Sequence, residues 1–222
     1  MGLAQLAVFV RPPEAGTVKT RLAAELGEDG AAALYRAFVE DTIAICSRVR
    51  EAGRVDLALW TSGHSALVSE WAERLGTSAE LQPEGDLGQR LSKAFEEGLR
   101  RYERVVVIGS DMPTLPIDLI GAAFEALEKN RLLLGPAHDG GYYAIGASKR
   151  RQPSFDGVRW STSTAFADTI AANRATPAAV LPPWYDIDEP QDLKILRAHL
   201  SVSAAAAPAT SSVLSELGRA QR

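Results

Sequence analysis

The 222-residue chain carries 28 acidic and 24 basic residues, a formal charge of −4, which excludes a basic surface for long nucleic-acid polymers. Hydrophobic residues at 46% and charged residues at 23% exclude a disordered chain and suit a globular one. One cysteine, Cys46, and three histidines, at 64, 138 and 199, exclude an internal disulfide or a Cys/His metal cage, so any bound metal must rest on carboxylates.

The apolar start MGLAQLAVFV runs directly into Arg11-Pro12-Pro13 and lacks a basic opening, so it reads as a buried strand, Leu6–Val10, rather than a signal peptide. No apolar run reaches the roughly 18–20 residues needed to cross a bilayer, and a reduced cytoplasmic protein is expected. After that strand comes Glu14-Ala15-Gly16-Thr17-Val18-Lys19-Thr20-Arg21, a glycine-containing loop entering a helix. Backbone N–H groups at the helix start, with Lys19 and Arg21, would offset phosphate charge; Arg11 and Gly16 belong to the same expected cradle. The spacing is neither a P-loop nor a G-x-G-x-x-G dinucleotide loop, and a turn with solvated cations is the plainer alternative.

Apolar residues at 34, 38, 45 and 49 predict a helix over Ala31–Val49, followed by a strand at Val55–Trp60 and helices at Leu67–Leu75 and Leu87–Tyr102. Val105–Ile108 is continuously apolar and β-branched, as a central strand covered on both faces should be. Asp111, in Gly109-Ser110-Asp111-Met112-Pro113, then lies at the carboxyl edge of the sheet, where α/β folds bind ligands. A helix follows over Pro116–Lys129, and its Asp118 is better placed than Asp111 for helix-start duty.

Strands at Leu132–Leu134 and Tyr142–Ile145 flank Gly135-Pro136-Ala137-His138-Asp139-Gly140-Gly141. Gly140 and Gly141 suggest close backbone approach to a ligand, although a hairpin turn on Asp139-Gly140 explains them equally well. A helix over Thr162–Asn173, a strand near Ala178–Leu181 and a helix over Pro190–Leu200 complete the pattern. In Asp186-Ile187-Asp188, extended backbone puts both carboxylates on one side, where repulsion raises their pKa unless a cation intervenes. Oxygen-only ligation suits Mg²⁺ or Mn²⁺; alternatively Asp188 simply caps the following helix. Alternation of strands and helices predicts a single α/β domain over residues 1–200 with a mostly parallel sheet. Residues 201–222, rich in Ala and Ser, read as a mobile low-complexity tail, with an amphipathic turn at Val213–Leu217.

Taken together, these motifs resemble the GT-A-fold nucleotide-diphospho-sugar transferase superfamily. Within it, the chain is similar to the bacterial glycosyltransferase-like family associated with arsenosugar biosynthesis and radical-SAM enzymes. The carrying motifs are Val18-Lys19-Thr20-Arg21-Leu22, Gly109-Ser110-Asp111-Met112-Pro113-Thr114-Leu115, Gly135 through Tyr143, Trp160-Ser161-Thr162 and Asp186 through Leu193, in family order over about residues 6–200. The 2-phospholactate (or phosphoenolpyruvate) guanylyltransferases share the Asp-x-Pro and Asp-x-Asp-x-Pro landmarks.

The resemblance implies a three-layer α/β/α, Rossmann-like GT-A fold. It also implies that Asp111 is the metal-binding acid, that Asp186 and Asp188 complete the metal site, and that Lys19 and Arg21 flank the nucleotide phosphates. The middle motif reads Asp111-Met112-Pro113 where a glycosyltransferase of this fold usually has Asp-x-Asp, so ligation must be completed from elsewhere. The function implied is a metal-dependent glycosyltransferase moving a sugar from a nucleotide-diphosphate sugar to a small-molecule acceptor, with His138 or Asp139 orienting or deprotonating the acceptor. A nucleotidyltransferase joining an NTP to a small phosphorylated acid is the alternative, and a binding protein without catalysis the third.

Overall fold

The computed structural model describes residues 3–53, 55–149 and 151–220. Seven strands form one sheet: β1 (Ala4–Val10), β2 (Val55–Thr61), β3 (Ala79–Leu81), β4 (Arg104–Ile108), β5 (Leu132–Pro136), β6 (Tyr142–Ser148) and β7 (Ala178–Val180). Their order is β3-β2-β1-β4-β6-β5-β7. Only β6 runs against its neighbours, β4 and β5; the other pairings are parallel.

Among the described residues seven α-helices accompany the sheet: α1 (Ala23–Ala52), α2 (Ala66–Arg74), α3 (Leu87–Arg101), α4 (Ile117–Lys129), α5 (Ala165–Ala172), α6 (Pro190–Val202) and α7 (Pro208–Ala220). The alternation of strand side chains explains the layers. Leu6, Val8, Val106 and Ile108 pack into one core with α1, α2, α4, α6 and α7. Ala7, Val105 and Val107 face the opposite core, built with α3 and α5. An uninterrupted apolar strand therefore serves two cores at once. The result is the mostly parallel three-layer α/β/α architecture expected from the sequence.

Two elements depart from expectation. The three-residue edge strand β3 is too short and too polar to announce itself. The segment read as a mobile tail is folded: a turn of 3₁₀ helix at Ala204–Ala206 leads into α7, which packs along α1, with Leu214 buried. The buried Asp41 of α1 receives the backbone N–H groups of Ala209 (3.0 Å) and Thr210 (2.9 Å) and the Thr210 hydroxyl (2.6 Å). A carboxylate at a helix N-terminus satisfies orphan donors and meets the positive end of the dipole. Alanine-rich composition conceals this because the docking partner lies about 170 residues upstream. The last two residues of that segment lie outside the described residues.

Candidate functional site

The strand order places β1 between β2 and β4, so the connections leaving β1 and β4 diverge at their carboxyl ends, the ligand-binding crevice of an open α/β sheet. Lys19 follows β1 and Asp111 follows β4. Tyr35, buried on α1, ties the two exits together. Its hydroxyl accepts the Arg11 backbone N–H at 2.9 Å and lies 2.9 Å from Ser110 Oγ. Burial pushes the Tyr35 hydroxyl up to about 12, so it remains a neutral phenol.

The second acidic segment is brought to the first by its backbone. Ile187 N–H donates to the Asp111 carbonyl (3.1 Å), and Trp184 N–H donates to the Pro136 carbonyl (3.1 Å). Asp188 does not serve as a side-chain cap for α6. That duty falls to Asp192, whose carboxylate accepts the N–H groups of Asp188 (3.0 Å) and Glu189 (2.7 Å). The Asp188 side chain is thereby free to face the cleft.

Lys19 sits between the two acids. Its Nζ is 2.5 Å from an oxygen of Asp111 and 2.5 Å from one of Asp188, and its side chain is 5% exposed against 42% and 45% for the carboxylates. Burial on its own would lower the Lys19 pKa, but the two carboxylates outweigh that and raise it, so the ammonium is permanently charged. The rings of Tyr35 and Phe38 lie 6.0 and 5.9 Å from Nζ. The plainer alternative put Lys19 and Arg21 in a turn at the helix start as solvated cations. They precede α1, in a turn closed by the Leu22 and Ala23 N–H groups on the Lys19 carbonyl. Two carboxylates meet the Lys19 charge, and the exposed Arg21 pairs with Glu189 at 3.2 Å.

Two compartments meet at this triad. An inner one of about 360 Å³ is lined by Phe9, Val10, Gln82, Arg90, Leu91 and Tyr142, among others. An outer one of about 1030 Å³ is lined by Arg21, His138, Asp139, Trp160, Tyr185 and Asp186, among others. Arg11, Lys19, Asp111 and Asp188, with Leu87, Gly109 and Tyr142, line both and form the neck. Asp186 faces the outer compartment, and its pKa is pushed up to about 6 by burial first, then by the charges of Asp139 and Asp188, with Lys19 opposing. Asp186 thus feels the charges of both Asp139 and Asp188, and it lines the same outer compartment as Asp111, Asp139 and Asp188.

The loop from His138 to Gly141 is the β5–β6 hairpin turn. Asp139 accepts the Gly141 N–H at 2.7 Å, and Gly140 has φ +87°. A Cβ on Gly140 would stand 2.0 Å from the Ser163 carbonyl oxygen, so only glycine permits this contact between the two loops walling the outer compartment. The turn explanation therefore accounts for Asp139-Gly140 locally, while His138 and Asp139 are exposed on the outer wall. Gly16 is exposed in a turn closed by the Thr17 N–H on the Glu14 carbonyl.

Three residues of the site carried no sequence signal: Tyr35, Gln82 and Arg90. Arg90 Nη1 donates to Gln82 Oε1 at 3.3 Å, Gln82 Nε2 to the Trp60 carbonyl at 3.3 Å, and the buried Arg90 Nε has no protein partner. Their positions on β3's exit and within α3 become meaningful only once the sheet is assembled.

A divalent cation can be tested against these donors. Among the described residues no three of His, Cys, Asp or Glu converge into a self-sufficient site. Asp111 and Asp188 nevertheless offer two half-exposed carboxylate oxygens around one point at the neck. Mg²⁺ is held typically by one or two carboxylates plus substrate phosphates and water, so the donor chemistry fits a cation that arrives with a phosphorylated ligand. No helix among the described residues is long and apolar enough to cross a membrane.

A family model described as "Uncharacterized protein conserved in bacteria (DUF2064)" matches residues 43–162. No curated protein matches the sequence. A crystal structure from Desulfovibrio desulfuricans G20, named as a candidate nucleotide-diphospho-sugar transferase, is 33% identical, with 97% of this chain and 95% of that chain covered and a TM-score of 0.88. Glucosyl-3-phosphoglycerate synthase from Mycobacterium tuberculosis, in complex with Mn²⁺ and UDP-glucose, is 12% identical over 93% of this chain and 79% of that one, with a TM-score of 0.59. A cytidylyltransferase from Leptospira borgpetersenii is 11% identical over 100% and 96%, with a TM-score of 0.58. At those lower identities the likeness is one of fold.

Proposed function

This chain belongs to the bacterial DUF2064 family, and from that premise and its cleft we propose that it is a transferase acting on a nucleotide-diphosphate sugar, passing the sugar to a small-molecule acceptor. The observation that carries this reading is the convergence of Asp111, Asp188 and Lys19 at the neck between two compartments. The name given to the 33%-identical relative supports it, as does the Mn²⁺ and UDP-glucose complex of a protein with the same fold.

Asp111 and Asp188 would hold Mg²⁺ or Mn²⁺, which supplies charge neutralisation for a departing diphosphate. Lys19, Arg11 and Arg21 add cationic donors from the first loop, aimed at the same developing charge. The apolar walls of the inner compartment, Phe9, Leu91 and Tyr142, suit the flat faces of a base, with Arg90 and Gln82 at its edge. The acceptor then belongs in the outer compartment. There Asp139 has one oxygen engaged by Gly141 and the other left for an acceptor hydroxyl, beside His138 and Asp186.

A second reading, nucleotidyl transfer from an NTP to a small phosphorylated acid, is favoured by one specific feature. The two acids at the neck come from separate segments, after β4 and before α6, rather than from a local Asp-x-Asp. The two readings differ in the product released. Incubation with nucleotide sugars or NTPs, Mg²⁺ or Mn²⁺ and an acceptor panel should release a nucleoside diphosphate in the first case and pyrophosphate in the second. Asp111→Asn and Asp188→Asn should each lower turnover by about 10²-fold or more. Full turnover in both variants would remove the neck from the mechanism.

A further inference from the structure

The Lys19 ammonium lies at a point from which both neck carboxylates are reached. The two oxygens, each 2.5 Å from Nζ, are close enough together to share a single cation. An ammonium and a divalent cation cannot both occupy that point, since at such separation two positive charges repel strongly in a site this sheltered.

The seat is built for the lysine. Lys19 holds φ +47°, a left-handed conformation that costs a non-glycine residue free energy and persists only where its surroundings impose it. Its ammonium is framed by Tyr35 and Phe38, and its stem is buried. No other Lys or Arg among the described residues pairs with Asp111 or Asp188.

We propose that Lys19 acts as a resident cation on the Asp111–Asp188 pair, excluding divalent metal until a nucleotide diphosphate draws the ammonium onto its phosphates and releases the carboxylates. The inference rests on the proposed nucleotide reading. Lys19 lines both compartments at the neck, so a diphosphate lying across it comes within reach of the side chain without rearrangement of the sheet. Metal and nucleotide would then enter with positive coupling, each raising the affinity for the other by the same factor. The device keeps the two acids neutralised when the cleft is empty of substrate, and it ties metal entry to substrate entry.

Mn²⁺ binding to the full chain, followed by the electron paramagnetic resonance signal of the free ion, tests this without any activity measurement. Wild-type protein should bind Mn²⁺ weakly alone, and Lys19→Gln and Lys19→Met should bind it alone about tenfold more tightly or better. Circular dichroism and thermal unfolding report whether each variant is folded. Equal or weaker Mn²⁺ binding by a folded Lys19 variant overturns the proposal. So does micromolar Mn²⁺ binding by the wild-type chain without nucleotide, a result independent of any variant. Nucleoside diphosphate binding, measured separately by thermal shift in Mg²⁺, judges the functional reading. Its failure there would leave the metal-only comparison intact.

Discussion

Replacing Asp41 by alanine tests how α7 is held. The carboxylate receives two backbone N–H groups and the fully buried Thr210 hydroxyl, and alanine leaves all three without a partner. Loss of an N-terminal cap costs about 1 kcal/mol, and stranding buried donors adds about 1–3 kcal/mol. Relief from burying a charge offsets part of this, since burial raises the Asp41 pKa from 3.8 despite those hydrogen bonds. A net loss of about 1–3 kcal/mol corresponds to a fall in melting temperature of about 2–12 °C for a chain of this size. Hydrogen exchange should localise the damage to α7 and the facing surface of α1. Asp41→Asn, which keeps one acceptor and removes the charge, should lose less.

The pH dependence has a definite sign. A carboxyl with a raised folded pKa is protonated first in the native state, so wild type should gain stability relative to Asp41→Asn as pH falls from that raised value towards 3.8. A melting temperature changed by less than about 1 °C in Asp41→Ala, with unaltered exchange in α7, would refute the cap as the device that docks this helix.

Arg90→Ala should weaken nucleotide binding by about 10–100-fold, the scale of a lost hydrogen bond to a charged donor, while lowering stability by only about 1 kcal/mol, because the protein loses the single 3.3 Å bond to Gln82 and Arg90 Nε has no protein partner to lose. Isothermal titration with a nucleoside diphosphate and differential scanning calorimetry separate the two effects. Tyr35→Phe should behave oppositely. It strands Ser110 Oγ and the Arg11 N–H, lowering stability by about 1–3 kcal/mol in chemical unfolding.

Elements with self-contained signals were legible in the sequence. The run Val105–Ile108 announced a strand covered on both faces and the apolar run Leu6–Val10 a buried strand, and the structure has β4 and β1 there. The position of Asp111 at the exit of β4 was readable for the same reason. What was not legible depended on partners distant in sequence. The carboxylates that pair with Lys19 lie 92 and 169 residues away, where no local spacing reveals them. The Ala- and Ser-rich C-terminal segment is helical because Asp41 caps it and α1 covers it. Tyr35 joins two loops through one hydroxyl, a role invisible in a helix whose apolar stripe accounts for it fully. The alternative in which Asp188 caps α6 gives way to Asp192, whose side chain reaches back to two N–H groups at once.

The central claim is that the Asp111–Asp188 neck is where a nucleotide diphosphate and a divalent cation bind together. Isothermal titration of nucleoside diphosphates in the presence of Mn²⁺, on wild type and on Asp111→Asn, measures this directly. The prediction is micromolar binding to wild type for at least one base and a loss of about tenfold or more in Asp111→Asn with the melting temperature retained. Undiminished binding in Asp111→Asn, or no binding of any nucleoside diphosphate to wild type, would contradict it.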